Sequence, residues 1–485
     1  VLEGLPMSQR TRQALADHGL SDPDHRSRQF GPDDASATLV VAMEPSQVAW
    51  VRRHFPEVAG RTATGPRIGE STPRPDGEPK VTGSYAFSSD LHHDRMLWGG
   101  TLRSPHAAAR IRGVDIGPAL ALAGVYAVLT HEDVPGSPTY GLIQRDQPVL
   151  ASDVVRYEGE AVVVVAADHP DTVRRALAAI QVDWEPTEPL VNPELAADAA
   201  PIHPDGNVIR RVHLRHGDQT AADGHDLVSV EGTYEVGMQD QAFLGPESGL
   251  AIPDEDGGVD LYVATQWLHE DRDQVAACLG LPEDKVRLTL AGVGGAFGAR
   301  EDLSLHVHLC LLALRTGRPV KMSYGREESF HGHVHRHPAR MHYRHLATTE
   351  GDLVRVEARL LLDGGAYASS SSAVISNATC FAVGPYRVPS VEIEGVVVRT
   401  DNPPCGAMRG FGAVQTCFAH EAQMDRLAIA LGMDPVDLRL RNALEPGDRL
   451  PTGQVITGTL PVAEVLRACA GHPSAAVGPD DPMAR

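Results

Sequence analysis

Apolar residues recur along this chain at two spacings. Near the start, "SQRTRQALADHG" has the 3.6-residue period of a helix, "ATLVVAME" is an extended apolar run, and "PSQVAWVRRHF" is helical again. Together they predict a small α/β piece. "GRTATGPRIGESTPRPDGEPKVTG" then breaks the pattern with Gly, Pro, Ser and Thr and reads as a linker or loop. Residues 81–195 mix both periods: "RMLWGGTLRS" alternates as a strand, and "VVRYEGEAVVVVAADHPDTVRRALAAIQVDW" reads strand, helix, strand. The uninterrupted "AVVVVAA" predicts a strand buried on both faces. Asp168 is the expected N-cap of the helix after it, with Asp171 three residues on. "EPTEPLVNPELAADAAPIHPDGN" is a Pro-rich connector. From residue 226 onward the long strand-like runs are "LVSVEGTYEVG", "GGVDLYVATQ", "KVRLTLAGV", "LVRVEARLLLDGGAY" and "VEIEGVVVRTDN". Two strong helical regions lie among or after them. "LSLHVHLCLLALRTG" is closed by Gly317 with Pro319 beyond, and "AVQTCFAHEAQMDRLAIALGMDPVDLRLRNAL" follows the last strand. No internal repeat or coiled-coil pattern is present, and no apolar run reaches the ~18 residues of a membrane span.

The 485 residues suffice for several domains of about 100–200 residues each. A net charge of −21 argues against non-specific nucleic-acid binding and against anionic membrane surfaces. Cys278, Cys310, Cys380, Cys405, Cys417 and Cys469 form no Cys-x-x-Cys pair. That speaks against a zinc or iron–sulfur site in this chain and against a disulfide framework. Sparse, unpaired cysteines suit a reducing cytoplasm, the expected location. The opening "VLEGLPMSQRTRQ" carries no signal-peptide pattern.

Candidate chemistry concentrates in a few stretches. "HGHVHRHP" places His331, His333, His335 and His337 at period two; on a strand all four share a face, a candidate metal site without supporting carboxylates or cysteines at suitable spacing. A solvated or packed strand face is the competing reading. "AGVGGAFGARED", residues 291–302, looks like a nucleotide loop but fails the dinucleotide fingerprint, since Phe297 stands where the third glycine belongs. It fails the P-loop pattern as well, ending Gly298-Ala299-Arg300. Glycine-rich backbone can still offer N–H groups to an anion or oxo group. Gln266 in "ATQWLHE" lies at a strand end, where ligands collect in α/β architectures. A second loop, "NPPCGAMRGFGAVQ", repeats the Phe-Gly pair among glycines. Phe297 and Phe411 could sandwich a flat ligand, or the two loops could be plain glycine turns with core phenylalanines.

The order of "TQW", "GVGGAFGARE", "HRHP", "LDGGAYA" and "NPPCGAMRGFGAVQ" resembles the molybdenum-binding subunits of the xanthine dehydrogenase family. "GESTPRPDGEPKVTGSYAFSSDL", "QDQAFLGPESGLA" and "PTGQV" are similar too, and the resemblance covers about residues 68–470. It implies an α+β, mixed α/β protein: an aldehyde oxidase/xanthine dehydrogenase hammerhead domain at 66–195, a linker at 196–225, and the first molybdopterin-binding domain, incomplete, at 226–485. By the same resemblance, Gln266 hydrogen-bonds a molybdenum oxygen, and Phe297 and Gly298 lie against the oxo ligands. Arg409 lies beside the metal centre through its backbone, Phe297 and Phe411 flank the substrate, and Glu301 binds it. The implied reaction is hydroxylation of purines such as hypoxanthine or xanthine, or of related N-heterocycles, with water as the oxygen source. Electrons would pass to 2Fe-2S and FAD centres on partner subunits of a hetero-oligomer.

Three departures qualify that resemblance. The family's large subunit continues beyond position 485 into a half carrying its catalytic glutamate and much of the pterin surface. The family's purine-binding arginine has no counterpart near "AYASSSSAV", where Ser369 to Ser372 stand. Residues 1–65 resemble part of a low-molecular-weight tyrosine phosphatase, yet no Cys precedes Cys278, so the nucleophile of that chemistry is absent. An inactive fragment or fusion product, or a phosphatase-related protein, is the alternative.

Overall fold

The all-apolar strand Ala161–Ala167 lies at the centre of the first half of the structure. It pairs antiparallel with Leu97–Arg103 on one side and Val125–Leu129 on the other. Val164 and Ala166 face one core with Leu309 and Leu312, while Val163 and Val165 face another with Ala176. Burial on both faces is why the run has no polar alternation. The helix that follows, Pro170–Ala179, is capped by His169 and not by Asp168: the His169 ring accepts from the Asp171 N–H at 3.1 Å. Pro170 at the first helical position fixes the start one residue later than expected.

The computed structural model describes residues 71, 74, 76–223 and 226–472, with the short parallel pair Val40–Val41 and Thr62–Ala63. Apart from that pair, the phosphatase-like reading of residues 1–65 lies outside the described residues. The chain divides into two compact units, residues 1–85 and 86–485. In the first, the helix Gly77–Thr82 is closed by Gly83 in the left-handed region.

The second unit contains two large sheets. One has seven strands in the order Val286–Leu290, Val259–Val263, Ser248–Pro253, Val320–Ser323, Leu97–Arg103, Ala161–Ala167, Val125–Leu129. Its strands come from both sides of residues 196–225. The other has five, ordered Val208–His216, Ser390–Val398, Leu353–Asp363, Ala339–Ala347, Val228–Val236. The stretch read as a linker therefore contributes an edge strand, Val208–His216, antiparallel to Ser390–Val398. Arg210, Arg211 and Arg215 obscure its alternation in the sequence; charge on an edge is a common guard against further pairing.

In each large sheet a parallel pair of neighbouring strands leads into the glycine loops; the seven-stranded sheet has a second parallel pair, Val320–Ser323 with Leu97–Arg103. Val259–Val263 runs parallel to Val286–Leu290, and Leu353–Asp363 runs parallel to Ser390–Val398. The crossovers are the helices Leu268–Leu279 and Ser371–Cys380. The long helix Ala413–Leu431 and the crossover Ser371–Cys380 cover one face of the five-stranded sheet and close its core over Val374, Ile375, Ala419 and Leu427. Among the described residues no helix is long and apolar enough to cross a membrane.

Candidate active site

The segments that leave the carboxyl ends of those two parallel pairs meet at one cavity. Gln266 and Trp267 follow Val259–Val263, and the glycine loop follows Val286–Leu290. Residues 364–370 follow Leu353–Asp363, and residues 399–412 follow Ser390–Val398. Carboxyl ends of parallel strands are where α/β folds hold ligands. The cavity has a volume of about 670 Å³, and Gln266, Phe297, Gly298, Glu301, Arg409 and Phe411 all line it. Leu142, Ile143, Trp267, Ser370 and Met408 complete much of its wall.

The two loops, Ala296-Phe297-Gly298 and Gly410-Phe411-Gly412, are bonded to each other, with the Arg409 N–H donating to the Phe297 carbonyl at 2.8 Å. Phe297 and Phe411 have φ of 52° and 49°, in the left-handed region that side chains avoid. Such residues persist where surrounding contacts over-determine them, and they cluster at functional sites. Here Asn377 holds the Phe411 carbonyl at 2.7 Å, and the Met408 carbonyl accepts from the Phe411 N–H at 2.7 Å. Gly298, at φ 107°, has no alternative: a Cβ there would lie 2.7 Å from the Ala407 carbonyl oxygen. Among the described residues the two rings make no contact with one another, and Phe297 is 50% exposed.

Gln266 is fixed at both ends. Its backbone N–H donates to the Arg300 carbonyl at 2.9 Å, and its side-chain Oε1 accepts from the Gly298 N–H at 3.1 Å. With the carbonyl end used, the amide's NH₂ donors are what it offers a ligand. Behind it, the Thr265 hydroxyl donates to buried Asp271 and accepts from the Trp267 N–H at 3.1 Å. Burial pushes the Asp271 carboxyl up to about 7, against the Thr265 bond. His306 lies 3.6 Å away, but burial drives its ring down to about 3, so the contact is neutral and not an ion pair.

Arg300 braces the first loop, a role its sequence position does not announce. Its guanidinium donates to the carbonyls of Gly295 at 2.9 Å, Ala264 at 3.3 Å and Gly245, and stacks 4.5 Å from the Phe243 ring. Gly245 and Gly294 pass so closely that a Cβ on Gly294 would meet the Gly245 Cα at 2.8 Å. Next to Arg300, Glu301 is half-buried and its carboxyl is pushed up by burial. Asp302 is fully buried, is pushed up to about 7 by burial, and accepts the Ser369 hydroxyl at 2.8 and 3.0 Å. Ser369 itself has φ 42°. Sequence reasoning misses Trp267, Arg300 and Asp302 as site residues, because nothing in their spacing marks them; Ser370 belongs to the serine run that stands where the family's purine-binding arginine falls.

The histidine run does not form one strand face. His331 belongs to the helix Arg326–Gly332, while His333, His335 and His337 are buried beyond it. His333 and His335 stack at 5.2 Å, and with Asp240 they place ligand atoms within 4.8 Å, close enough to hold a metal ion. The His335 Nε2 already faces the Phe330 carbonyl at 2.9 Å. His333 lies between two carboxylates, Asp240 at 3.0 Å and Glu247 at 3.1 Å, as ionic contacts off the line of hydrogen bonding. Burial opposes charge on His333, but these carboxylates outweigh it and lift the ring to about 9. The imidazolium supplies the positive charge that a cation would bring.

Residues 202–443 match the molybdopterin cofactor-binding domain family, and residues 82–188 match the a/b hammerhead domain of aldehyde oxidase and xanthine dehydrogenase. The chain is 41% identical to the nicotinate dehydrogenase large molybdopterin subunit of Eubacterium barkeri, over 82% of this chain and 94% of that protein. It is 39% identical to a probable xanthine dehydrogenase subunit of Bacillus subtilis, over 82% of this chain and 54% of that protein. The solved aldehyde oxidoreductase from Desulfovibrio gigas superposes with a TM-score of 0.79 at 29% identity, covering 87% of this chain and 48% of that one. The chain thus spans nearly all of the Eubacterium protein and about half of the other two.

Proposed function

Because the chain belongs to the xanthine dehydrogenase and aldehyde oxidoreductase family of molybdenum enzymes, we propose that it is the cofactor-binding subunit of a hydroxylase for purines or related N-heterocycles. The observation that carries this reading is the joining of the two Phe-Gly loops beside Gln266, at the carboxyl ends of two parallel strand pairs. The residues present fit a molybdenum–pterin cofactor. The free donor end of the Gln266 amide suits an oxo group, and Gly298, where a Cβ would strike the Ala407 carbonyl, lets the two loops close together beside it. When bound, that cofactor supplies a two-electron oxidation in which water is the oxygen source.

The chain's own residues do the rest. Phe297 and Phe411 face a planar ring, and Glu301 anchors it by hydrogen bonding. The Arg409 N–H keeps the loops locked beside the cofactor. The wall of Leu142, Ile143 and Met408 offers apolar surface for a ring to pack on. Electrons leave through 2Fe-2S and FAD centres on partner subunits, in a cytoplasmic hetero-oligomer. The six cysteines here form no disulfide. The match covers 54% of the Bacillus relative, so the whole enzyme also needs what corresponds to the rest of it. Nicotinate is a second candidate substrate, favoured by the 41% identity to a nicotinate dehydrogenase protein.

The test is co-purification with the subunits encoded beside it, followed by molybdenum analysis and assay of heterocycle oxidation. Glu301→Gln should then lower kcat/KM for hypoxanthine roughly ten- to a hundred-fold, the loss of about 1.5–3 kcal/mol for a bond to a charged group. Molybdenum content should stay at the parent level. A complex without molybdenum, or a variant that loses its metal, sinks the assignment.

A further inference from the structure

We infer that Gln241 is a positioning residue of the candidate site: within a strap at residues 239–247 it holds the two Phe-Gly loops together and fixes how Gln266 and Arg409 stand to one another. The inference rests on reading the cavity as a molybdenum–pterin site. Gln241 is buried, and its Nε2 donates to the Ala407 carbonyl at 2.9 Å. That carbonyl is the one a Cβ on Gly298 would strike, so Gln241 holds the peptide at which the two loops touch. Gln239 joins the second loop as well, through Arg336, which donates to the Gln239 Oε1 and to the Arg409 carbonyl, both at 2.9 Å. Farther along the strap, the Gly245 N–H donates to the Gly294 carbonyl of the first loop at 3.0 Å. The Gly245 carbonyl accepts from Arg300, the brace of that loop. The first loop carries Gly298, to which Gln266 is bonded, and the second carries Arg409.

The shape of the strap suits this double grip. Ala242 has φ 47°, joining Phe297, Ser369 and Phe411 of the site in the left-handed region that non-glycine residues avoid. Asp240 holds that bend, its Oδ1 accepting from the Ala242 N–H at 2.6 Å. Backbone strain of this kind persists only where surrounding contacts over-determine it. About the bend, Gln241 and Phe243 are buried while Ala242 and Leu244 are exposed. Gln241 serves the second loop, and Phe243 packs on the first, where a Cβ on Gly295 would meet the Phe243 Cβ at 2.9 Å. The Phe243 ring lies 4.5 Å from the Arg300 guanidinium and 5.1 Å from the His333 ring. His333 also draws the ends of the strap together, standing 3.0 Å from Asp240 and 3.1 Å from Glu247. A cofactor site needs its groups held to about 0.5 Å by supporting contacts such as these. Without the Gln241 donor, the buried Ala407 carbonyl loses that bond, a costly change at the point of loop contact.

The full-length chain is purified with the subunits that accompany it, as parent, Gln241→Met and Gln423→Met. Methionine keeps the length of glutamine and removes the donor. Gln423 is the control: it is buried too, but donates to the Tyr343 carbonyl at 2.9 Å, in the five-stranded sheet and at neither loop. Hydrogen exchange of peptides covering residues 292–298 and 405–411 reads the loops directly, and molybdenum is measured on the same samples. In Gln241→Met both peptides should exchange about ten-fold faster, the worth of one buried hydrogen bond, and molybdenum per chain should fall. Gln423→Met should melt earlier than the parent yet keep parental exchange in both loops and parental molybdenum. Parental exchange in Gln241→Met, or equal acceleration in Gln423→Met, overturns the inference. So does faster exchange in Gln241→Met with molybdenum undiminished from a loaded parent. A parent without molybdenum sinks the cofactor assignment instead, and the exchange of the two loops then decides by itself whether Gln241 holds them.

Discussion

Gly298→Ala tests whether contact between the two Phe-Gly loops is under steric constraint. Alanine at φ 107° takes a backbone conformation that L-residues avoid, costing about 1–3 kcal/mol. Its Cβ would also lie 2.7 Å from the Ala407 oxygen and 2.8 Å from the Ala407 carbonyl carbon, both backbone atoms. Backbone yields less readily than a side chain, and overpacking of this kind costs about 1–3 kcal/mol more. Gly257 is the control, with φ 83° and nothing within 4 Å of a built Cβ. Gly257→Ala should cost about 1–2 kcal/mol from backbone strain alone. Denaturant midpoints of parent and both variants isolate the difference, and molybdenum content of the purified complex reads its consequence at the site. Gly298→Ala should be the less stable of the two by about 1–3 kcal/mol, and it alone should lose molybdenum. Equal midpoints with full metal in both would show that the loops are not pressed together.

Other expectations concern the groups behind the wall. Arg300→Lys keeps the charge but not the planar fork, so at least one of the carbonyls of Gly245, Ala264 and Gly295 loses its donor. A drop of about 1–3 kcal/mol in unfolding free energy checks this, and an unchanged midpoint refutes it. Asp302 has a folded pKa of about 7 against an ordinary value of 3.8. Being raised, it contributes stability that is fully present below about 3.8 and lost as pH rises through about 7. Asp302→Asn, which can still accept from Ser369, should flatten the parent's loss of thermal stability across that window and be the more stable protein at about pH 8. His333 has a folded pKa of about 9 against 6.5, so its contribution is complete below 6.5 and fades as pH rises through 9. In His333→Gln that alkaline decline should vanish, along with part of the stability at neutral pH; a parental melting profile against pH would refute the imidazolium clamp.

Periodicity exposed most of the second unit because its elements are long and their burial is one-sided or complete. "AVVVVAA" became a strand buried on both faces, and "LSLHVHLCLLALRTG" became the helix His306–Thr316 closed by Gly317. What failed were local competitions. His169, not Asp168, caps its helix because Pro170 takes the first helical position. The edge strand Val208–His216 hid behind its arginines, and the histidine run broke because His331 ends a helix before the bridge-forming segment begins. A strand's partners lie far away in sequence, so which sheet "VIRRVHLRH" joins is decided by the Ser390–Val398 edge and not by its own residues.

The candidate site divides along the same line. Its loop-to-loop contacts are largely backbone: Arg409 N–H to Phe297, the close approach of Gly298 to Ala407, and the close pass of Gly245 and Gly294. Backbone contacts of this kind demand glycine at fixed places, and glycine spacing is visible in a sequence. The groups that would read a substrate are side chains from four separate segments, Ile143, Trp267, Glu301 and Met408, and no spacing connects them. Overall similarity cannot weigh them either. Identities of 41% and 39% to proteins named for nicotinate and for xanthine differ far too little to rank two substrates. Four side chains contribute almost nothing to such a percentage, yet one unpaired polar group or one like-charge contact changes selectivity by an order of magnitude. On the proposed function, substrate choice rests on the chemistry of this wall, where the half-buried Glu301 carboxyl stands beside Ile143, Trp267 and Met408.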